Sequence, residues 1–276
     1  NSMSCQPLPP AVPGCRPPDI YNIAARGRKY ANVSEIRLPD SMELVSYDNG
    51  IVDTRIVGNG MRIVVLPFGK GGSVMMRRLV VGGSRLEDNR WAGSCHVLEH
   101  CDFRTLEWLQ YGGMDKNAAT SKTFIEHQTL MLLDPAVGHL QKEMTFQLET
   151  MRGDNLSGLT NDAIRREIMN VLDEKDFNSQ AGSSYRLMIN EVEGLLLERV
   201  WGANGWSGPT IGSERSLANI RNAQDLLDLH RMYRAPQRTY LVLSGPVDIN
   251  ATLSLFAHTF SGLPRGDEKL LRPIPR

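Results

Sequence analysis

Long apolar runs and a surplus of one charge are both missing from this sequence of 276 residues. No stretch approaches the roughly 20 consecutive apolar residues that a membrane-spanning helix needs. The chain as given has no charged segment followed by an apolar core, so we predict no signal peptide in it. Lys plus Arg and Asp plus Glu each number 31, so the charge balance favours neither a nucleic-acid nor a membrane-surface partner. We therefore expect no transmembrane segment and no nucleic acid among the partners.

Cysteine is also scarce, and no internal repeat is visible. Two of the four cysteines, Cys5 and Cys15, lie in a Pro-rich segment, residues 1–18, whose composition is typical of an extended arm. The two thiols can form a disulfide in an oxidising compartment. Alternatively, a cysteine followed by a Pro-rich tether suits a lipid anchor, and the sequence leaves both interpretations open.

The pentapeptide His-Val-Leu-Glu-His at residues 96–100 is the most informative feature that is present. On a helix, His96 and His100 share one face, so both imidazoles can reach a single metal ion. Glu99 lies at the edge of that face, where its carboxylate can approach a metal-bound water without being a ligand. The order H-x-x-E-H is the inverse of the H-E-x-x-H order of many zinc hydrolases. Such a site needs a third protein ligand and leaves a fourth position for water.

Candidates for the third ligand lie in residues 161–177, whose apolar side chains recur at helical spacing. Glu167 and Glu174 in this segment are seven residues apart (174 − 167 = 7), or two turns, and therefore share a face. One carboxylate can bind the metal while the other orients the site. Cys95 and Cys101 also flank the histidines, but each is about 100° around the helix from its neighbour. We interpret them as small buried residues.

The HVLEH motif followed by a helix with Glu-x6-Glu resembles the pitrilysin/insulinase-type zinc peptidases, which include the mitochondrial processing peptidases. The resemblance covers roughly residues 50–262. The chain looks like only the first α/β unit of such an enzyme. Five further segments resemble the family in the same order: TRIVGNGMRIVVLPF (54–68), LVVGGSRLEDNRWAG (79–93), GGMDKNAATS (112–121), GWSGPTIG (205–212) and TYLVLSGPVD (239–248).

The resemblance implies a role for each candidate residue. His96, His100 and Glu174 would bind Zn2+. Glu99 would be the general base, and Glu167 a further carboxylate of the catalytic site that orients it. An edge strand would bind the substrate peptide by β-augmentation. The residues of that strand implied in substrate binding are Asn117, Ala118, Ala119 and Thr120.

The expected fold is α+β, a mostly antiparallel sheet with helices packed on one face. Residues 19–264 would form the zinc-peptidase domain, between the Pro-rich arm at 1–18 and a tail or linker at 265–276. Residues 17–50 carry few strand signals and are expected to wrap the domain edge, whereas residues 124–133 are predicted to form a strand. Helices outside the motifs are predicted at residues 105–111, 135–151, 184–201, 223–233 and 249–260.

The chain departs from the family pattern near the motif. Only 16 residues separate His100 from Asn117 (117 − 100 − 1 = 16), and the family's Gly-Thr loop is missing there. Residues 151–162 look like an insertion. We therefore expect a reshaped cleft rim. Nothing in the sequence resembles the family's second half, which supplies an Arg and a Tyr that help to stabilise the transition state.

Three functions remain open. The first is a zinc-dependent endopeptidase that cleaves extended peptides or unfolded polypeptides within a clamshell assembly, formed as a homo-oligomer or with a second peptidase-like chain. The second is a non-catalytic or weakly active partner subunit, a scaffold or binding module of such an assembly. The third is a zinc hydrolase of smaller substrates. Bacterial relatives are often periplasmic, so the resemblance favours a periplasmic or secreted location over the cytoplasm.

Three further histidines and one basic pair are not assigned to the candidate site. His127 and His139 are read as surface or core polar residues, and His230 as a packed core histidine. The pair Arg77-Arg78 is read as solvated.

Overall fold

The computed structural model describes residues 33–69, 72–104, 114–133, 139–181, 199 and 210–274. Seven strands form one sheet: β1 (Met42–Asp48), β2 (Ile51–Ile56), β3 (Arg62–Pro67), β4 (Ser73–Val81), β5 (Met114–Thr120), β6 (Phe124–Leu132) and β7 (Thr239–Gly245). The helices are α1 (Ser94–Arg104), α2 (His139–Arg152), α3 (Asp154–Ser157), α4 (Asn161–Ala181), α5 (Glu214–Leu217), α6 (Ala223–Tyr233) and α7 (Ile249–Phe260). The fold is α+β, as the sequence predicts.

The sheet has the strand order β1-β2-β3-β7-β4-β6-β5. All neighbouring pairs are antiparallel except β3 and β7. Strands β2 and β3 form a hairpin whose turn contains Gly58-Asn59-Gly60. Asn59 lies in its turn, and its buried amide donates hydrogen bonds to the carbonyls of Phe260 and Leu263. Strand β5 ends the sheet, so its outer edge pairs with no other strand of the described residues.

Two apolar clusters join the helices to the sheet. One lies beneath β1, β2, β3 and β7 and is closed by α7, where Phe256 and Phe260 are fully buried. The other surrounds α1 and includes Val97 and Leu98, both fully buried, together with residues of α4 and α6. This second cluster holds the HVLEH helix against the sheet beside β5 and β6.

Most predicted elements are confirmed, and one expectation is wrong. The helices expected at 223–233 and 249–260 coincide with α6 and α7, and the one expected at 135–151 is α2. Residues 17–50 were expected to carry few strand signals and to wrap the domain edge, but Met42–Asp48 form strand β1 at the edge of the sheet. Its register shifts between Leu44 and Ser46, and this bulge breaks the alternation by which strands are recognised.

Arg78 is a second correction, because it is not solvated. Its side chain is fully buried in β4, although its neighbour Arg77 is partly exposed. Side chains in a strand alternate between its two faces, which puts Arg78 on the same face as Val74, Met76 and Val80. The predicted helices at 105–111 and 184–201 and the arm with Cys5 and Cys15 lie outside the described ranges, apart from residue 199.

Candidate metal centre

The first turn of α1 is fixed by a buried carboxylate. Glu87 accepts hydrogen bonds from the backbone N–H groups of Gly93 at 2.8 Å and Cys95 at 2.6 Å, and from the Ser94 hydroxyl at 3.3 Å. A negative group at a helix N-terminus satisfies free N–H groups and opposes the helix dipole. Burial raises the pKa of Glu87 to about 7. Sequence reasoning missed this role, although Glu87 lies inside the segment 79–93 that carries the resemblance.

Three side chains with metal-binding atoms meet between α1 and α4. Nε2 of His96 lies 3.2 Å from Nε2 of His100. One carboxylate oxygen of Glu174 lies 3.3 Å from Nε2 of His100, and the other lies 3.5 Å from Nε2 of His96. Zinc bonds of about 2.0–2.2 Å place neighbouring tetrahedral ligands about 3.3–3.6 Å apart. The donors therefore fit zinc, and no other group of this kind occurs among the described residues.

The two imidazoles, which are candidate metal ligands, differ in their surroundings. Burial, together with the charge of His100, lowers the pKa of His96 to about 4. Near pH 7 the ring is therefore neutral, which is the form that binds metals. The other ring nitrogen of His100, Nδ1, lies 3.3 Å from Oε2 of Glu167. Asn170 donates a hydrogen bond to the same oxygen. A carboxylate on the far nitrogen fixes the tautomer of a metal-binding histidine.

Glu99 lies beside the three donors and is only 7% exposed. Its Oε2 accepts a hydrogen bond of 2.7 Å from the Thr120 hydroxyl and lies 4.0 Å from Nε2 of His96. Burial raises the pKa of Glu99 to about 7, although the Thr120 hydrogen bond acts in the opposite direction. A carboxylate with a pKa near neutrality can both take up and release a proton under working conditions.

A cavity of about 430 Å³ lies between His100 and strand β5. The edge position predicted for residues 117–120 is confirmed. Asn117 and Ala119 are exposed, whereas Ala118 and Thr120 are half-buried. The residues that line the cavity are Glu99, His100, Phe103, Lys116, Asn117, Ala118, Glu167 and Asn170.

The chain is similar to known proteases in sequence and in fold. No family model matches the chain. Over 230 residues it is 26% identical to the zinc protease PqqE of Helicobacter pylori, covering 79% of this chain and 48% of that protein. A crystal structure of a protease from H. pylori has a TM-score of 0.63 at 20% identity, over 85% of this chain and 52% of that one. Pitrilysin has a TM-score of 0.62 at 19% identity, over 86% of this chain and 24% of that one.

The chain has a pitrilysin-like fold. The first half of the periplasmic protease PqqL from Escherichia coli also matches, with a TM-score of 0.62 at 18% identity, over 87% of this chain and 50% of that one. The resemblance to the first unit of the pitrilysin/insulinase-type peptidases is thus confirmed. The chain spans about half the length of the curated relative that it matches.

The remaining polar residues of this pitrilysin-like unit take up structural positions. Cys95 and Cys101 are fully buried, as predicted. His127, His139 and His230 are buried outside the metal-binding group, which agrees with their reading as core polar residues. None of the helices in the described ranges is long and apolar enough to cross a membrane.

Sequence reasoning also missed two sets of buried charges near the site. Lys116 and Glu143 form an ion pair of 2.7 Å, and Lys116 lines the cavity. Asp102, two residues after His100, is fully buried among cationic and polar side chains.

Proposed function

We propose that this pitrilysin-like unit is a zinc-dependent endopeptidase that cleaves extended peptides. The observation that carries the proposal is the spacing of 3.2–3.5 Å among the donor atoms of His96, His100 and Glu174, with the Glu99 carboxylate directly beside them. The naming of its H. pylori relative as a zinc protease supports the same reading.

Each residue of the proposed site has a separate chemical role. Zn2+ bound by His96, His100 and Glu174 would polarise the peptide carbonyl and lower the pKa of a bound water to about 7. Glu99 takes the proton from the attacking water and returns it to the leaving amine. The Thr120 hydroxyl donates to Oε2 of Glu99 and so fixes the orientation of this carboxylate.

Substrate binding is assigned to the outer edge of β5, which pairs with no other strand in the described ranges. A peptide that adds to this edge forms backbone hydrogen bonds with residues 117–120, as in other cases of β-augmentation. Side chains of an added strand alternate between the two faces of the sheet. Those directed towards the helices would enter the cavity beside Glu99 and His100. Backbone recognition of this kind requires an extended or unfolded substrate and leaves sequence preference loose.

A second function is favoured by the share of the relatives that this chain covers. It matches 48% of the curated relative and 52% of the H. pylori protease structure. A second peptidase-like unit, from another copy or another chain, would complete a clamshell around the peptide. Without that unit, the chain would be a weakly active or non-catalytic partner subunit. The match to a periplasmic protease also supports a periplasmic or secreted location.

Cleavage of a quenched fluorescent peptide by the purified chain tests the first proposal, with and without a chelator. We expect one zinc per chain, cleavage that the chelator stops, and recovery on adding back zinc. The variant Glu99→Gln should keep the zinc and lose about 10²–10⁴-fold in rate. Glu149→Gln, on the exposed face of α2, is the matched control. Zinc without cleavage in the wild type favours the partner-subunit function, and cleavage by Glu99→Gln at the wild-type rate contradicts the assigned base.

A further inference from the structure

Asp102 connects the HVLEH helix to four other parts of the fold. It lies on α1, three residues after Glu99 and two after His100, and it is fully buried. Side chains from β4, β6, α3 and the residue after α6 contact its carboxylate. They are Arg78 (Nη2 to Oδ2, 3.2 Å), His127 (Nε2 to Oδ2, 2.9 Å), Asn155 (Nδ2 to Oδ1, 3.2 Å) and Arg234 (Nη1 to both oxygens, 2.8 Å).

The contacting groups also hold one another. Nδ1 of His127 lies 3.0 Å from Nη2 of Arg78, so a neutral ring that accepts from Arg78 carries its proton on Nε2, which lies 2.9 Å from Oδ2 of Asp102. Arg78 additionally donates to the Thr150 hydroxyl. Asp102 therefore lies at the centre of a connected network, in which a shift of one group disturbs its neighbours.

Stability alone is a weak reason for such an arrangement. Burying charges removes their hydration, and replacing a buried ion pair by apolar groups of similar volume is often neutral or stabilising. Here two guanidinium groups and one carboxylate are buried, with Arg78 fully buried and Arg234 only 4% exposed. What the network supplies beyond apolar packing is direction, because hydrogen bonds fix angles and distances.

The network holds the end of α1 that follows the candidate site residues. Glu87 holds the first turn of α1, and Asp102 holds its last turns. His96, Glu99 and His100 lie between these two anchors. Apolar contacts such as those of Val97 and Leu98 resist separation from the sheet but allow small rotations and slides. In catalysis, a misplacement of about 1 Å can cost about 10²-fold in rate.

We propose that Asp102 is a positioning residue, which fixes the rotation and axial position of α1 so that His100 binds the metal and Glu99 faces the attacking water. The proposal rests on the proposed zinc-peptidase function. It assigns Asn155 to the same task, because its side-chain amide donates to Asp102. His127 contacts α1 through both Asp102 and the ring of Phe103.

The test compares two buried asparagines. Asn155→Ala removes one donor to Asp102 and leaves all charges in place. Asn59→Ala is the matched control, since Asn59 is also buried and hydrogen-bonded but lies in the β2–β3 turn, away from α1. Asp102→Asn, which keeps the shape of the side chain, is the stronger variant. Each is measured at a temperature where thermal unfolding shows that it is folded.

Three quantities separate positioning from stability: the visible absorption spectrum of the Co2+-substituted chain, zinc affinity by competition with a chelator, and kcat against KM. We expect Asn155→Ala and Asp102→Asn to change the cobalt spectrum, to weaken zinc binding at least tenfold and to lower kcat with KM unchanged. Asn59→Ala should lower only the melting temperature. If Asn155→Ala and Asp102→Asn both keep the wild-type spectrum and zinc affinity, the positioning role is wrong and the proposed function is unaffected. Failure of the wild type to bind Zn2+ or Co2+ would overturn both.

Discussion

Oε2 of Glu167 lies 3.3 Å from Nδ1 of His100, while Nε2 of the same ring faces His96 at 3.2 Å. The carboxylate of Glu167 thus contacts one nitrogen of the imidazole, and the other nitrogen faces the proposed metal position. Glu174, two turns further along α4, approaches the same position with its own carboxylate. The two glutamates therefore have separate expected effects, and substitution can distinguish them.

Glu167→Gln should weaken zinc binding by about 10–100-fold, because the histidine loses the partner that fixes its tautomer but the three ligands remain. Glu174→Gln should weaken it further, since an ionic ligand is replaced by a neutral amide. Competition with a chromogenic chelator measures both affinities, with Glu149→Gln as the exposed control. Equal affinity in the wild type and Glu174→Gln would remove Glu174 from the ligand set.

Thr120→Val should lower kcat by about tenfold or more and leave KM unchanged. The substitution keeps the shape of the side chain but removes the hydroxyl that donates to Oε2 of Glu99, and a hydrogen bond to a charged group contributes about 1.5–3 kcal/mol. Thr120→Ser keeps the hydroxyl and is the matched control. A raised KM with unchanged kcat would instead mean that Thr120 acts in peptide binding.

Gly93→Ala should destabilise the fold by at least about 2 kcal/mol, because Gly93 combines a left-handed backbone with a backbone contact. Its φ is +87°, and an added Cβ would lie 2.3 Å from the carbonyl oxygen of Ile211. Gly158→Ala is the control, since its φ is −91° and a Cβ there meets no atom within 4 Å. Urea unfolding gives both values, and similar midpoints for the two variants would contradict the contact.

His230 should make the folded state sensitive to mild acid. Burial, with a smaller effect of Arg234, lowers the pKa of His230 to about 4, whereas an unfolded histidine has a pKa near 6.5. Between those values the unfolded chain binds the extra proton, so the free energy of unfolding falls as the pH is lowered.

Comparison with His230→Gln isolates this contribution from those of other titrating groups. The unfolding free energy of the wild type should drop relative to that of the variant by up to about 3 kcal/mol between pH 6.5 and pH 4. Substitution of the exposed His258 by Gln is the control. A difference that stays constant across this range would show that His230 does not remain neutral in the folded state.

The candidate metal donors could be placed on two helices from the sequence, because helical periodicity is visible within each segment. The choice of Glu174 over Glu167 as the ligand came from the family resemblance. His96 and His100 are four residues apart, and Glu174 lies on a helix that its apolar spacing predicts. Arg78 was misread, although its alternation with Val74, Met76 and Val80 already indicated the buried face of a strand. The spacing of side chains within one element is local information.

The Asp102 network was not accessible in this way. Its contacts join residues that are 24 and 132 positions apart in the chain, as for Arg78 and Arg234. Which helix packs beside which strand depends on the tertiary arrangement, and no short pattern encodes it. For a similar reason β1 was missed, since its bulge between Leu44 and Ser46 hides the alternation that marks a strand.

Anomalous diffraction at the zinc absorption edge, from crystals of the chain grown with zinc, would locate the metal. We expect one strong peak about 2.0–2.2 Å from Nε2 of His96, Nε2 of His100 and a carboxylate oxygen of Glu174. Glu99 should lie beside the peak without ligating it. A peak at the thiols of Cys95 or Cys101, or no peak between α1 and α4, would show that these three residues do not form a zinc site.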